Sequence, residues 1–580
     1  MPAQQKRWEV VPRAPEAHFA KFPDIPPLLV QILYNRGFTA ADEVRKFLTH
    51  SWVEDDPLLL KGMPTAVERL SRAIVEQEPI AVYGDYDADG VTATALMMRV
   101  LTALGARVQP YIPHRFDEGY GLNNDALAEL AERGIRVVLT VDCGIRSVDE
   151  VAYGNSLGLD IIITDHHTVG QQIPPALAAI NPKQGDCPYP FEELAGVGLA
   201  YKLAQGLLQS NLLGNHEYAG LHHQFLDLVA VGTVADLAPL YGENRKLVQQ
   251  GLAQLNQSLR PGIKALLELA NTRSDTISTG TIGFVIGPRL NAAGRLDSAL
   301  AAYELLMAQT DEVANPLAVQ LDGQNRERQQ LTLDTVEMVR QVVLEDGAEK
   351  PLYFVVHPDF NVGIVGLAAS RVTEEFYRPA LIASRGEEFT KGSARSIPEF
   401  HITEALDQCA DLLVRYGGHA AAAGFTVKNE NVPALQERLF NIAQQQLDVN
   451  ELCPTITVDG EVNLRGVRPA LVEAITALAP FGCGNPTPCF LTRGLRVKYL
   501  KPVGHEERHL RLILDDGNQT WNGIAFRQGH WARELQTSQY IDVVYNLEFN
   551  EWNGDRTIQL NIKDLRISEN SPVQLKLSGA

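Results

Sequence analysis

The 580-residue chain has no long apolar run and no segment with the composition of a membrane span. A span needs roughly 18 or more consecutive apolar residues, and no stretch approaches that length. The first residues, MPAQQKRWEVVPR, lack the apolar core of a secretion signal. We therefore expect a protein of the cytoplasm that does not enter a membrane.

Cysteine and positive charge are both scarce. The six cysteines are scattered, and none stands in the C-x-x-C spacing that commonly ligates zinc. Lysine and arginine total 51 against 71 acidic residues, a formal net charge of −20. Because indiscriminate binding to polyanions depends on clustered cations, any nucleic-acid site must be a local basic groove on an acidic body.

One pattern recurs between residues 80 and 180: a short apolar run, a polar loop and then an amphipathic stretch. The apolar runs predict strands at 80–83, 108–112, 136–141 and 161–164, with helices at 91–104 and 147–157. Such a pattern is typical of a doubly wound α/β domain with a parallel sheet. Its ligand should bind beyond the carboxyl ends of the strands.

The length predicts several domains rather than one core. We expect an N-terminal leader and α/β catalytic domain over 1–300, and a long connecting helix within 301–347. A smaller α/β domain is expected over 348–450. The last segment, 451–580, alternates apolar and polar residues before the turns Asp516-Gly517 and Asn553-Gly554, which predicts an all-β barrel or sandwich.

The stretch DYDADG at 85–90 places three carboxylates at alternate positions before a glycine, as an EF-hand calcium loop does. Two features disfavour that interpretation: position 12 of the loop is Leu96 instead of glutamate, and the preceding AVYG is strand-like. Three carboxylates this close repel one another, by about 4 kcal/mol for a pair 4 Å apart at an effective dielectric of 20. Unless they spread into solvent, they need cations.

Further acids and histidines follow the other predicted strands. Asp142 follows VVLTV; Asp165, His166 and His167 follow IIIT; and Asp236 lies in the apolar segment LVAVGTVADLAPL. Because the carboxyl ends of parallel strands share one edge, we expect these groups to converge. Oxygen-rich ligation with some imidazole favours Mn²⁺ or Mg²⁺ over zinc. The residues alone thus predict a two-metal phosphoesterase.

Four motifs, DYDADG, VDCG, TDHH and GTVADLAP, resemble those of the DHH phosphoesterase superfamily. GGHAAAAGF resembles the glycine-rich motif of the associated substrate-binding domain. With NPKQGDCPYPFEELAGVGLAYKL and GPRLNAAGRLD, they are similar in kind and order to the bacterial branch that degrades single-stranded DNA from the 5′ end. The resemblance runs from about Leu28 to the β region. It implies a DHH domain, a connecting helix, a DHHA1 domain and a C-terminal OB-fold.

The resemblance also implies roles for individual residues. It implies two Mn²⁺ or Mg²⁺ ions per active site, with ligands from Asp87, Asp89, Asp142, His166 and Asp236. Asp85 can be aligned in place of Asp89, so two of these three motif aspartates are expected to ligate, and we favour Asp87 and Asp89. His167, beside Asp165, is implied as a further ligand or a contact to the scissile phosphate.

Binding of a strand needs donors for its backbone and aromatic faces for its bases. Candidates come from the loop at 113–120, from GPRLNAAGR, from KGSARS and from the glycine-rich motif: Arg115, Tyr120, Arg289, Asn291, Arg295, Ser393, Arg395, Ser396, Gly417, Gly418 and His419. Small residues let backbone N–H groups approach phosphate, and arginine gives bidentate contacts. Simple packing of the aromatic loop or of the glycines remains an alternative.

The resemblance implies a single-stranded-DNA-specific 5′ to 3′ exonuclease that releases 5′-mononucleotides in recombination and repair. It further implies a monomer that cooperates with a single-strand-binding protein and a RecQ-type helicase. One alternative is a DHH phosphodiesterase acting on oligoribonucleotides or cyclic dinucleotides, against which the β tail weighs. Another is a non-catalytic single-strand-binding scaffold, against which the retained acids weigh.

Overall fold

The computed structural model describes residues 6–115, 117–210, 218, 220–345, 350–552 and 555–569. The chain forms two compact units, one of Glu54–Leu452 and one of Met1–Val53 together with Cys453–Ala580. Among the described helices, none is both long enough and apolar enough to cross a bilayer.

The N-terminal segment folds with the C-terminal one. Its elements are β1 (Arg7–Val10), α1 (Glu16–Phe19), α2 (Pro27–Asn35) and α3 (Ala41–Thr49). β1 pairs in parallel with Thr455–Val458, and Ile32, Leu33 and Phe47 share a core with residues beyond 463. This differs from the predicted grouping of residues 1–300, because a pairing between segments more than 400 residues apart leaves no local pattern.

A five-stranded parallel sheet forms the centre of the catalytic domain. Its elements are α4 (Met63–Val75), β2 (Ile80–Gly84), α5 (Ala88–Ala103), β3 (Val108–Tyr111), α6 (Asn124–Glu132), β4 (Val137–Val141), α7 (Val148–Ser156), β5 (Asp160–Thr164) and β6 (Ala178–Ile180). The strand order is β3-β2-β4-β5-β6. β3 and β4, the next two strands in the chain, pair with opposite edges of β2. The strand order therefore reverses at β2, and a ligand is expected at its carboxyl end. The doubly wound prediction is confirmed.

Helices complete this domain and lead into the next. They are α8 (Gly196–Gln209), α9 (Leu226–Ala235), α10 (Gly242–Leu255), α11 (Pro261–Leu269), α12 (Thr279–Thr281), a π-helix (Ile282–Ile286), α13 (Gly287–Leu296), α14 (Leu300–Met307) and α15 (Asp311–Glu345). α9 is buried on every side, as its largely apolar sequence requires. α15, 35 residues long, is the predicted connecting helix.

The DHHA1-like domain is a second, mixed sheet with helices. It contains β7 (Tyr353–His357), α16 (Val365–Phe376), β8 (Ala380–Arg385), β9 (Phe389–Arg395), α17 (Ile402–Asp407), β10 (Leu413–His419), β11 (Ala422–Lys428) and α18 (Val432–Gln446). The strand order is β10-β11-β9-β8-β7, with only β7 and β8 parallel. The motif GGHAAAAGF forms the hairpin between β10 and β11.

A closed β-barrel forms most of the C-terminal segment. The elements are β12 (Thr455–Val458), β13 (Gly460–Glu461), α19 (Pro469–Thr476), β14 (Phe490–Val503), β15 (His509–Asp515), β16 (Thr520–Ala525), β17 (Tyr540–Trp552) and β18 (Asp555–Ile567). Pairing of β14 with both β15 and β17 closes five strands into a barrel. This confirms the predicted OB-fold; residues 553 and 554, one of the predicted turns, lie outside the described residues.

Candidate active site

The three motif aspartates lie where β2 ends and α5 begins. Asp85 is buried, and its Oδ1 accepts a hydrogen bond from the Tyr86 amide at 2.7 Å. Asp87 caps α5, since its Oδ1 accepts from the amides of Asp89 at 3.0 Å and Gly90 at 3.1 Å. A Cβ at position 90 would lie 2.5 Å from the Asp85 carbonyl oxygen, so the turn requires glycine. The glycine that suggested an EF-hand serves this tight strand-to-helix turn.

Asp89 lies against the N-terminus of a second helix, α8. Its Oδ2 accepts from the Gly196 amide at 2.7 Å and its Oδ1 from the Val197 amide at 2.8 Å. A helix N-terminus favours an anion because its first amides are unpaired and its dipole is positive there. Burial and the charge of Asp87 nevertheless raise the pKa of Asp89 to about 7.

Asp142 and Asp165 follow the next two strands, β4 and β5. Asp142 has φ 65°, a left-handed conformation that is uncommon for a non-glycine residue and recurs at functional sites. Burial and then the neighbouring carboxylates, Asp89 first, raise its pKa well above the usual value. Asp165 is instead fully hydrogen bonded: Oδ2 accepts from the Ile145 amide at 2.9 Å, and Oδ1 accepts from the His167 amide at 3.0 Å.

The two histidines have opposite protonation states. Burial, followed by the charge of His167, lowers the pKa of His166 to about 3, so its imidazole is neutral near pH 7. Burial would also lower the pKa of His167, but the 2.7 Å contact between its Nδ1 and Asp165 Oδ1 outweighs burial and raises it to about 9. His167 therefore holds a proton that Asp165 stabilises.

Carboxylates converge on His166. Its Nε2 lies 3.1 Å from Asp142 Oδ1, 3.7 Å from Asp236 Oδ2 and 4.0 Å from Asp89 Oδ2. Within the described ranges, Asp142 Oδ1 and His166 Nε2 are both buried without a hydrogen-bond partner. Burial and then the charge of Asp89 raise the pKa of Asp236 to about 8. The unpaired atoms of Asp142 and His166, with the neighbouring carboxylates, suit a bound cation.

Three sets of ligand atoms lie within 4.8 Å of one another, and together they test the fit to a metal: Asp142, His166 and His167; Asp89, His166 and Asp236; Asp85, Asp87 and Asp142. In the second and third sets most of the ligand atoms are carboxylate oxygens, the ligands that Mg²⁺ and Mn²⁺ prefer. The residues therefore fit divalent ions. Asp85, Asp87 and Asp89 all belong to one of these sets. The predicted pair, Asp87 and Asp89, falls in two different sets. Which of the three aspartates bind metal stays a prediction.

A cleft of about 600 Å³ opens between this cluster and the DHHA1-like domain. Tyr120 and His167 line it on the catalytic side; Gly417 and His419 line it on the other. The Tyr120 hydroxyl lies 3.3 Å from His167 Nδ1. The predicted aromatic residue and the predicted glycine-rich hairpin, including Gly418, are thus brought to the same cleft as the catalytic candidates.

Two predicted arginines converge on the DYDADG turn. The Arg115 guanidinium lies over the Tyr86 ring, 4.8 Å from its centroid, whereas the adjacent Phe116 lies outside the described residues. Arg295 is largely buried, and burial followed by the positive charge of Arg115 lowers its pKa to about 10. Neighbouring guanidinium groups of this kind favour a bound anion.

Arg395 is the third cation of this region. Its Nη1 donates to Ser393 Oγ at 2.8 Å, so KGSARS presents a hydroxyl and a guanidinium together. Burial lowers the pKa of Arg395, and no other cause contributes.

The remaining candidates are engaged inside the fold. Arg289 pairs with Asp322 of α15 at 2.9 Å. The Asn291 Oδ1 accepts from the Ala88 amide at 2.7 Å and so holds the start of α5. The Ser396 hydroxyl donates to a backbone carbonyl, that of Phe400, at 2.6 Å. Their predicted contacts with a strand stay predictions.

Sequence reasoning missed several parts of the site. It did not single out Tyr86, whose ring carries Arg115, nor Arg146 and Arg415, which line the cleft. It also missed the amides of Gly196 and Val197, although the small-residue run GVG lies in a segment already used for the resemblance. A signal existed for Arg415 too, two residues before Gly417 in VRYGGH.

Family models match three parts of the chain. The DHH family N-terminal domain matches residues 79–233, the DHHA1 domain matches 349–445, and the RecJ OB domain matches 458–564. Their order and positions agree with the three folded domains described above.

Whole-chain comparisons agree with these models. The single-stranded-DNA-specific exonuclease RecJ of Bacillus subtilis is 38% identical over 577 residues, covering 98% of this chain and 72% of that protein. Crystal structures of Thermus thermophilus RecJ superpose with a TM-score of 0.81 for the Mn²⁺ complex, at 32% identity, and 0.77 for the Mg²⁺ complex, at 30%. Both cover 97% of this chain, and 80% and 79% of the other. With its three domains, its acidic cluster and these likenesses taken together, the chain belongs to the RecJ family of exonucleases.

Proposed function

We propose that this protein is a divalent-metal-dependent exonuclease that hydrolyses single-stranded DNA from the 5′ end to 5′-mononucleotides, in recombination and repair. The observation that carries the proposal is the convergence of Asp89, Asp142 and Asp236 on His166, next to a cleft that His167 lines. Relatives named as single-stranded-DNA-specific exonucleases, similar over nearly the whole chain, support the substrate.

We propose that two ions bind, one held by Asp85, Asp87 and Asp142 and the other by Asp89, His166 and Asp236. Each set offers three ligand atoms within 4.8 Å of one another. When bound, such ions polarise a phosphoryl oxygen and lower the pKa of water.

The chain's own contribution to the chemistry centres on His167 and Asp165. Burial opposes the charge on His167, but donation of its Nδ1 proton to Asp165 keeps the ring protonated at pH 7, with a pKa of about 9. A cationic imidazole that lines the cleft can neutralise charge developing on the scissile phosphate. Because the Nδ1 proton is directed to Asp165, Asp165 also fixes the orientation of the ring.

We propose that the cations around DYDADG hold the strand's phosphates. Arg115, Arg295 and the Ser393–Arg395 pair are the candidates, since phosphate suits guanidinium and hydroxyl donors. Tyr120, 44% exposed at the cleft, offers a face for the terminal base.

Oligonucleotides labelled separately at each end test the proposal. Incubation of the full chain with Mn²⁺ should release labelled mononucleotide first from the 5′ end of single-stranded DNA, and blunt duplex should be cut much more slowly. First release from the 3′ end would refute the polarity, and equal loss of duplex would refute the selectivity.

Asp142→Ala tests the metal assignment. Since Asp142 belongs to two ligand sets, cleavage should fall at least about 10³-fold, while strand binding stays measurable because the cationic residues remain. Asp334→Ala removes an exposed carboxylate on α15 and serves as the matched control, with unchanged rates. Retained cleavage in the Asp142 variant would rule out the proposed ligand set.

We also propose that the protein acts as a monomer in the cytoplasm, with a single-strand-binding protein and a RecQ-type helicase. The helicase would supply the unpaired 5′ strand that the cleft accepts. A mass measurement in solution tests the monomer, and stimulation of duplex degradation by added helicase tests the cooperation.

A further inference from the structure

Phe284 is the most exposed large apolar side chain in the described part of the molecule, at 85%. Burying a phenylalanine contributes about 1.5–3 kcal/mol, and this ring contributes little of that in the free protein. A single exposed apolar residue is unremarkable by itself. Its place on the backbone and its alignment with the active site distinguish this one.

The backbone around Phe284 is a π-helical turn, Ile282–Ile286, inserted between α12 and α13. Ile282 and Ile286 are both fully buried, so the two ends of the turn are anchored in the core while Phe284 points outward. π-turns are rare, and they are found frequently at functional sites. Because the turn is fixed, the ring loses little conformational entropy when a ligand binds to it.

Phe284 stands on the same helix face as Arg295. Residues 284, 288, 291 and 295 are spaced four, three and four apart, which places them in one row. Pro288, Asn291 and Arg295 are all partly exposed, whereas Gly287, Leu290 and Gly294 of the neighbouring face are buried. Phe284 is the exposed end of this row, and Asn291 and Arg295 are its partly buried end against the DYDADG turn.

The row begins at the catalytic turn. A Cβ at Gly294 would lie 2.5 Å from the Tyr86 carbonyl oxygen, and Asn291 Oδ1 binds the Ala88 amide. From Arg295 to Phe284 the helix rises about 16 Å at 1.5 Å per residue. A strand advances about 3.4 Å per stacked nucleotide and further when extended, so Phe284 lies roughly three to five nucleotides from Arg295.

The other side of the π-turn touches the segment that delivers Asp236. A Cβ at Gly287 would lie 3.3 Å from the Cβ of Ala235, the last residue of α9. Leu237, just beyond Asp236, is 71% exposed with φ 59°. The exposed ring is thus fixed to the same framework as a candidate ligand.

We propose that Phe284 is a stacking platform for one unpaired base of the bound strand, roughly three to five nucleotides from the phosphate that Arg295 holds beside the catalytic turn. The occupant is a nucleobase because the row joins the ring to the cations that bind phosphate, and one ring is far smaller than a protein interface. In a duplex both faces of each base are covered by neighbouring bases, so the Phe284 ring can stack only on a base of an unpaired strand. This inference rests on the proposed function and adds to it a residue that selects single strands.

Fluorescence of 2-aminopurine tests the stacking without any cleavage. The test uses DNA strands of twelve nucleotides, each with the probe at a different position from the 5′ end. These strands are titrated with the full-length Asp142→Ala protein. Quenching should appear at one or two adjacent positions near the fourth nucleotide. Phe284→Ala should abolish that quenching and weaken binding at least about fivefold, as expected for one lost stack. Phe284→Tyr should keep both.

Cleavage kinetics of the protein with Asp142 intact separate a loss of stacking from a loss of folding. For the 12-residue strand, Phe284→Ala should raise KM at least about fivefold with kcat unchanged, while values for a dinucleotide, too short to reach the ring, stay those of the wild type. Val313→Ala removes another half-exposed apolar side chain, on α15, and should change neither. Unchanged quenching in Phe284→Ala, or an equal loss on the dinucleotide, would overturn the inference. If no form of the protein cleaves DNA, the proposed function fails, and the position-dependent quenching alone decides the stacking.

Discussion

Removal of metal should make the stability of the catalytic unit fall as the pH rises. Burial and neighbouring carboxylates raise the pKa of Asp89 to about 7 and of Asp236 to about 8, from a usual value of 3.8. A group whose folded pKa is raised contributes stability that is fully present below its unfolded pKa and is lost as pH rises through its folded pKa. Both losses therefore fall below pH 8. His167, raised from 6.5 to about 9, acts in the same direction.

The magnitude follows from these shifts. One pKa unit corresponds to about 1.4 kcal/mol, and Asp236 is half ionised at pH 8, so between pH 6 and pH 8 Asp236 loses about 2.3 kcal/mol and Asp89 about 1.4 kcal/mol. For a unit of this size the entropy of unfolding is about 0.8 kcal/mol per kelvin, which converts roughly 3–4 kcal/mol into a fall of about 4–5 °C in Tm. Bound Mg²⁺ or Mn²⁺ should reverse the trend, because it favours the ionised carboxylates.

Calorimetry at pH 6, 7 and 8, with EDTA and with excess Mg²⁺, measures this effect. Asp236→Asn removes the ionisation at that position, so in EDTA it should be more stable than the wild type at pH 8 and show a shallower slope, set by Asp89 and His167. Asp334→Asn, at an exposed site, should keep the full slope. A metal-free Tm that is flat or rises from pH 6 to pH 8 would refute the account of a cluster held together by cations.

Two further substitutions test how the site is supported. Gly196→Ala would place a Cβ 2.5 Å from Asp142 Oδ1 at the α8 N-terminus; we expect cleavage to fall about 10²-fold, against little change for Gly198→Ala, whose nearest contact is 3.3 Å. Equal rates for the two variants would contradict the tight fit. Lys202→Met should lower stability by about 3–5 kcal/mol, because it leaves Glu243, its buried partner, uncompensated. The double variant Lys202→Met/Glu243→Leu should recover much of that loss in a denaturation assay, and a loss equal to the sum of the single changes would argue against the pairing.

Local sequence was sufficient for the sheet and for the chemistry of its edge. Strands such as β2 and β4 are buried on both faces and therefore read as continuous apolar runs, and parallel strands must present their carboxyl ends together. Once those strands were placed, Asp85, Asp142 and His166 had to meet. The connecting helix and the barrel hairpins were predictable for the same reason, since each has its own periodicity.

What the sequence could not determine depends on contacts between distant segments. Pairing of β1 with β12 joins residues near 8 to residues near 456, and no local pattern encodes such a partner. The same holds for Asp89, whose bonds to the Gly196 and Val197 amides arise only when α8 is brought against α5.

The order of residues along the chain therefore determined that carboxylates and imidazoles would meet at one edge of the sheet and need cations. Tertiary packing alone decided which atoms are left unpaired there, because burial removes water from some carboxylate oxygens while backbone amides satisfy others. Asp165 is fully bonded and keeps a depressed pKa through His167, although burial opposes it, whereas Asp142 keeps an unpaired oxygen and a raised pKa. Two aspartates that read alike in the sequence differ in charge because the fold supplies donors to one and not to the other.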